Sequence, residues 1–328
     1  MKDDENKFHL VTWLFEIIIE HDRTLQIDTQ DRFGNTLLHL AFDSHHENLA
    51  KLLLRRDANP NLTNKDGETP LHNICSRDYD VFDAAKMLFD ISDEKQKTIF
   101  VDAQDKRGWT TLHSAVDRIH VRLIRLLLKR DANPNITNAK GETPLYRIFN
   151  RFDDDVFVHD LYDDFFDLAA LLLRHGADPN IANASGETPL HKICELCENE
   201  SIEVVNMCMT PFQEVKQRVQ ADVRDKKGNA PLHIALGRGY KNLIEWLLKI
   251  GADPNCINKD GETALHIIID RHTGPLYDKE FVAEFFKIVD DEQLTLQIDV
   301  KNNSGQTPLQ CAVANLLPEV VGVLGSWL

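Results

Sequence analysis

The chain has 328 residues, 42% of them hydrophobic and 27% charged, and its 53 acidic residues outnumber 37 Lys and Arg for a formal net charge of −16. That balance argues against nucleic acid as a main partner, because phosphate binding needs a dense basic surface. The opening MKDDENK lacks the basic start of a signal peptide, and the apolar run near Trp13 to Ile19 is too short to span a bilayer and contains Glu16. No membrane insertion is expected, and the composition suits the cytoplasm or else the nucleus. Six cysteines, at 75, 194, 197, 208, 256 and 311, form no small-domain bridge pattern and fit a reducing compartment.

In chain order, residues 1–30 read as half of a helical pair: a helix over Phe8 to His21, then a linker. From residue 31 onward one phrase recurs eight times. It runs Asp or Asn, two variable residues, Gly, one more variable residue, then something close to Thr-Pro-Leu-His; the clearest copies are NKDGETPLH from Asn64, NASGETPLH from Asn183 and NKDGETALH from Asn258. Asx opens a tight turn by bonding its own backbone two residues on, and Gly takes the positive φ that the turn demands. Thr then caps a helix whose first position suits Pro, which has no N–H to lose. A short apolar helix follows, such as Leu71, Ile74, Cys75, and then a second with apolar residues at helical spacing, such as Leu243, Ile244, Leu247, Leu248. Four second helices end in Ala-Asn/Asp-Pro-Asn, at Ala58, Ala132, Ala177 and Ala252. Neither helix can bury its stripe alone, so each pair must lean on the next.

The eight phrase glycines lie 33, 41, 33, 45, 42, 33 and 44 residues apart. Some extra length is expected after the second helix, at Ser92 to Gln104, Thr210 to Arg224 and Asp290 to Lys301. A further insertion, Asn150 to Asp167, packs Asp153, Asp154, Asp155, Asp160, Asp163, Asp164 and Asp167 around Phe152, Phe157, Tyr162 and Phe165. It lacks the Gly and terminal Glu of a calcium loop. It reads as a solvated acidic excursion between two helices, with a basic partner or a cation as the alternatives. Pro318 to Leu328 is expected to form a last helix with little polar covering over Val320, Val321, Val323, Leu324 and Trp327, an uncapped end.

The turn-helix-helix phrase resembles the ankyrin-repeat family, whose unit is a β-turn plus two helices with a TPLHxA signature. The resemblance covers roughly residues 24 to 328 and implies an all-α solenoid: about eight units joined by β-turn fingers over residues 31–328, plus the N-terminal half unit. Departures are Tyr146 and Gln310 at the His position, Ala230 at the Thr position, and Leu37, Thr111 and Ala264 at the Pro position; those units are expected to be locally weaker.

Candidate chemistry is sparse. His191, Cys194 and Cys197 form HxxCxxC with Cys208 not far on, but His191 belongs to the repeat phrase and no second C-x-x-C pair completes a zinc site. Neither a metal nor a cofactor is expected. The motif histidines His39, His72, His113, His191, His233 and His266 recur once per unit, too far apart for shared catalysis, and are expected to be neutral and bonded to Thr or backbone. No G-x-S-x-G elbow, Walker loop, H-E-x-x-H or GxGxxG with a suitable acidic residue is found, so no enzymatic activity is expected.

The paired variable residues at the eight turn tips sum to about +6 by the usual side-chain charges, basic tips on an acidic chain. In the resembled family the tips and the exposed face of the first helices form the usual binding groove. The resemblance therefore implies a non-catalytic scaffold for a protein partner, with Arg32, Phe33, Lys106, Arg107, Trp109, Lys226 and Lys227 as contacts and Trp109 as an exposed hot spot. An alternative is the recognition part of an adaptor whose effector module lies elsewhere, and a third is an enzyme with an unrecognised site at the acidic insertion.

Overall fold

A computed structural model describes residues 26–77, 81–151, 162–196, 209–213, 218–270 and 279–327. Most of the half unit read over residues 1–30, including Phe8 to His21, lies outside them, as do Cys197 and Cys208. The described residues carry helices and no strands, and the chain divides into two compact units, residues 1–148 and 149–328.

In the first unit, short first helices α1 (Leu37–Asp43), α3 (Pro70–Cys75) and α5 (Thr111–Asp117) alternate with second helices α2 (Glu47–Arg55), α4 (Phe82–Glu94) and α6 (Val121–Lys129); α7 (Pro144–Asn150) spans the point of division. The second unit holds α8 (Tyr162–Arg174), α9 (Pro189–Leu196), α10 (Pro231–Arg238), α11 (Lys241–Lys249), α12 (Ala264–Asp270), α13 (Lys279–Asp291), α14 (Pro308–Ala314) and α15 (Pro318–Trp327). First helices pack on first helices, α1 on α3 on α5 and α9 on α10 on α12 on α14, while α2 packs on α4 and α4 on α6. Leu123, Ile124, Leu127 and Leu128 of α6 are all buried in this way. Each such side chain contributes about 1.5–3 kcal/mol that no isolated helical pair could collect.

Helices α1, α3 and α5 start on the same device. Thr36, Thr69 and Thr110 stand in extended backbone, their hydroxyls accept the N–H of His39, His72 and His113, and the His side chains answer the Thr backbone N–H. Two departures from the repeat phrase still make side-chain bonds. Gln310 answers the Thr307 N–H through Oε1 (2.9 Å), and Thr111 donates its hydroxyl to the Val101 carbonyl (2.7 Å). Ala230 has no hydroxyl to offer His233, and Tyr146 donates its N–H to the Thr143 hydroxyl (3.1 Å) but has no ring nitrogen to answer the Thr143 N–H.

The back of the fold alternates in a way the phrase does not announce. Asn61 donates Nδ2 to the Thr98 carbonyl (2.6 Å) and accepts the Phe100 N–H on Oδ1 (2.9 Å). Asn180 brackets Arg218 and Gln220, and Asn255 brackets Thr295 and Gln297, through the same pair of bonds. In the return direction Asp28, Asp102 and Asp222 accept the N–H of Asn59, Asn133 and Asp253. Short Pro-Asn loops thus grip long loops, and long loops grip short ones, although the loops at Ala132 and Ala177 are both short and follow in succession.

Two expectations need correcting. The extra length after second helices is not all loop: α4 runs to Glu94 and α13 to Asp291, so Ser92 and Asp290 are helical, and these 13-residue helices exceed the nine residues of α2 by one turn. Ser92 is buried, because the added turn extends the packed stripe. Likewise the acidic insertion is not an excursion throughout. Asn150 closes α7 and Tyr162 to Asp167 lie within α8, since Leu168, Leu171 and Leu172 continue a helical stripe that its first turns precede; residues 152–161 lie outside the described residues. At the far end, Leu324 of α15 is buried while Val313 and Leu316 before it are exposed.

Candidate functional site

The turn tips form the surface that the repeat builds most regularly. Within each finger the Asx side chain folds the turn: Asp31 Oδ1 accepts the N–H of Phe33 (2.8 Å) and Asn35 (2.9 Å), and Asn64 Oδ1 does the same for Asp66 and Glu68. Adjacent fingers are then joined by one backbone bond. In the first unit Lys65 N–H donates to the Phe33 carbonyl (2.8 Å), Lys106 to Asp66 (2.8 Å) and Ala139 to Arg107 (2.8 Å); in the second, Lys226 donates to Ser185, Lys259 to Lys227 and Asn303 to Asp260. This contact is what demands glycine. Gly108 has φ +74°, and a Cβ there would lie 2.7 Å from the Ala139 nitrogen, inside any real contact distance.

Beneath the tips the imidazoles tie each finger to the next. Thr36 N–H donates to His39 Nδ1 (3.1 Å), which leaves the proton on Nε2, and Nε2–H donates to the Glu68 carbonyl (3.0 Å). His72 reaches Trp109 (3.2 Å), His113 Glu142 (3.0 Å), His191 Asn229 (3.1 Å) and His266 Gln306 (3.0 Å) in the same manner. His233, whose cap residue is Ala230, turns to the Cys256 carbonyl instead (2.9 Å). Burial lowers the pKa of His39, His72, His191 and His233, and that of His113 to about 4. With Nδ1 and Nε2 both engaged, these rings have nothing left to offer a metal or a substrate. Cys194, three residues past His191, is fully buried, and so is Cys75 at the same place in its own unit, where burial pushes the thiol pKa up.

The tip side chains differ from finger to finger. Arg32, Phe33, Lys65, Lys106, Arg107, Lys140, Lys226 and Lys227 are all exposed. Phe33 is 55% exposed, with the Arg32 guanidinium 4.6 Å from its ring centroid. Arg107 is less free than its charge suggests. Its Nε donates to Asp105 Oδ2 (2.9 Å), and its guanidinium lies 5.0 Å from the Trp109 centroid.

Trp109 departs from its expected place as an exposed anchor. It is half-buried, tilted against the His113 ring at 6.0 Å, with a second guanidinium, Arg147, 5.1 Å from its centroid. The backbone explains the position: Trp109 N–H closes the Asp105 turn (2.7 Å) and its carbonyl takes the His72 ring, so the indole is held low between two fingers. Arg147 itself pairs with Asp117 and lies 3.6 Å from Glu142. Sequence reasoning missed Arg147, whose one signal was a cation directly after the Tyr146 that replaces His in the phrase.

A family model described as ankyrin repeats in three copies matches residues 4–98, 45–138, 161–258 and 238–326. The chain is 36% identical over 124 residues to an ankyrin repeat protein of Rickettsia bellii, covering 37% of this chain and 34% of that protein. It is 30% identical over 131 residues to human transient receptor potential cation channel subfamily A member 1, covering 39% of this chain but 11% of the channel subunit. The match with the Rickettsia protein thus takes in about a third of that relative. Among solved structures, the ankyrin repeat domain of Bcl-3 aligns with a TM-score of 0.52 at 19% identity, covering 89% of this chain and 98% of that one, a likeness of fold.

Proposed function

The chain belongs to the ankyrin-repeat family, and from that premise we propose that it is a non-catalytic scaffold that binds a partner protein through its finger tips and the neighbouring face of the first helices. One observation carries this reading: exposed cations stand on successive fingers whose backbones are bonded to each other, on a chain of net charge −16. Fingers already fixed to their neighbours lose little freedom on binding, so modest contacts spread over several units sum to useful affinity. The motif histidines serve this design from below, by holding one finger to the next. A role in the cytoplasm or nucleus is part of the same reading, and among the described residues no helix is long and apolar enough to cross a membrane.

Trp109 acts in this scheme as a spacer that orders Arg107 and Arg147 rather than as a projecting anchor. Affinity capture from cells with the wild-type chain and with Lys65→Glu/Lys106→Glu tests the surface. The captured protein should be lost with the double reversal while thermal unfolding is unchanged; an unaltered capture would move the site elsewhere. The adaptor alternative has no observation of its own in its favour, since the tip surface serves either role.

A further inference from the structure

We infer that the finger row of the first unit reads an extended acidic segment of its partner, with carboxylates recurring at about every third residue. This rests on the scaffold reading and specifies what that scaffold binds.

Three consecutive fingers carry a cation in one register. Arg32, Lys65 and Lys106 each follow the Asx that opens the turn, and all are exposed. Lys140 continues the row on the fourth finger, one position further along. Lys65, Lys106 and Lys140 take no part in an ion pair, and Arg32 is engaged only with the face of Phe33, so the charges are unspent among the described residues. Two of the acids at the base of the row are held within their own turns. Asp31 Oδ1 takes two backbone N–H groups, and Asp105, almost fully buried, takes two more and the Arg107 side chain. Asp66, beside Lys65, is the one acid among the paired residues between Asx and Gly in these four fingers, and it is exposed.

The second unit has the same backbone ladder but a different row. Ala184, Lys226, Lys259 and Asn303 occupy the register, so two cations are flanked by neutral residues. Successive packed elements stand about 10 Å apart, and an extended chain in the polyproline II conformation advances about 3.1 Å per residue with three residues per turn, so one ligand residue in three faces each finger. Phe33, exposed at the first finger, offers an apolar ledge where the acidic run ends. Free cations held in line on an acidic protein would draw an anionic strand and repel a basic one.

The test is titration of the full chain with a synthetic peptide carrying Glu at every third residue between Gly and Ser, beside a peptide of equal composition with its Glu residues clustered, and short duplex DNA. The spaced peptide should bind best. Arg32→Glu/Lys65→Glu/Lys106→Glu should weaken it by at least about tenfold, Lys226→Glu/Lys227→Glu by less than about twofold, and Asp66→Asn should tighten it by about twofold. Added salt should weaken it as well. Equal affinity for the clustered peptide, tighter binding of DNA, or equal loss with both sets of reversals would each overturn the inference. If the wild-type chain captures a protein through these residues yet ignores the spaced peptide, the acidic-strand inference falls and the scaffold reading stands. If it does neither, both fall.

Discussion

The two compact units are built on one backbone scheme and differ in what they display. Both bond finger to finger through a single N–H, and both tie the fingers from below with a neutral imidazole. Yet the first unit sets Arg32, Lys65 and Lys106 in line, whereas the second brackets Lys226 and Lys259 with Ala184 and Asn303. Architecture here is written in Gly, Thr, His and Asx, and recognition in the two residues between Asx and Gly. Because those two residues bond mainly through their backbone within the fold, they are free to vary with the partner.

The separation can be broken most forcefully at a finger glycine. Gly108→Ala imposes both a left-handed φ and a clash with the Ala139 nitrogen, and should cost about 3 kcal/mol in denaturant unfolding. Gly251→Ala serves as its control. That residue has φ +99° with nothing within 4 Å of the place a Cβ would take, so about 1 kcal/mol is expected. Equal losses would mean that finger contact adds nothing to backbone strain.

Acid should attack the imidazoles of both units. A buried His whose pKa falls on folding binds fewer protons than in the unfolded chain, so its contribution is complete above pH 6.5 and is lost as pH falls toward the folded value. For His113, held at about 4, the loss at pH 5 relative to pH 7 is about 2 kcal/mol. Burial is the main cause and the nearby Arg147 charge adds to it, while the Thr110 N–H that donates to Nδ1 at 3.1 Å already fills the place of a second proton. Urea midpoints measured from pH 7 to pH 5 should fall, and less steeply in His113→Gln.

A smaller change sharpens the likeness between units. Ala230→Thr restores the hydroxyl that every other motif His meets at its cap, in nearly the same extended backbone as Thr36, and should raise stability by about 1 kcal/mol. Smallest of all, the charge reversals at Arg32, Lys65 and Lys106 should alter stability by less than about 0.5 kcal/mol each, because these side chains touch little.

Much of the fold was legible because the repeat phrase states its local physics: Asx and Gly for the turn, Thr for the cap, apolar residues at helical spacing for the stripe. The alternation of Asn61, Asn180 and Asn255 with Asp28, Asp102 and Asp222 was not, since each bond joins residues 31 to 42 positions apart that no local pattern pairs. The extra helical turns of α4 and α13 were hidden by acidic residues, Asp93 and Glu94 or Asp290 and Asp291, that read equally well as loop. At the site, the tip cations were visible as charges, but their availability was not. Arg107 proved committed to Asp105, and Trp109 was drawn down by its own backbone bonds, whereas Lys65 gained weight because it lies in register with Arg32 and Lys106.

Rigid presentation is the claim on which the functional account turns, and amide hydrogen exchange on the full chain measures it directly. The N–H groups of Lys65, Lys106 and Ala139, each bonded to the preceding finger, should exchange slowly in the free protein and change little when the acidic peptide binds. Fast exchange in the free protein that slows only on binding would show that the ligand orders the fingers, and would contradict the account.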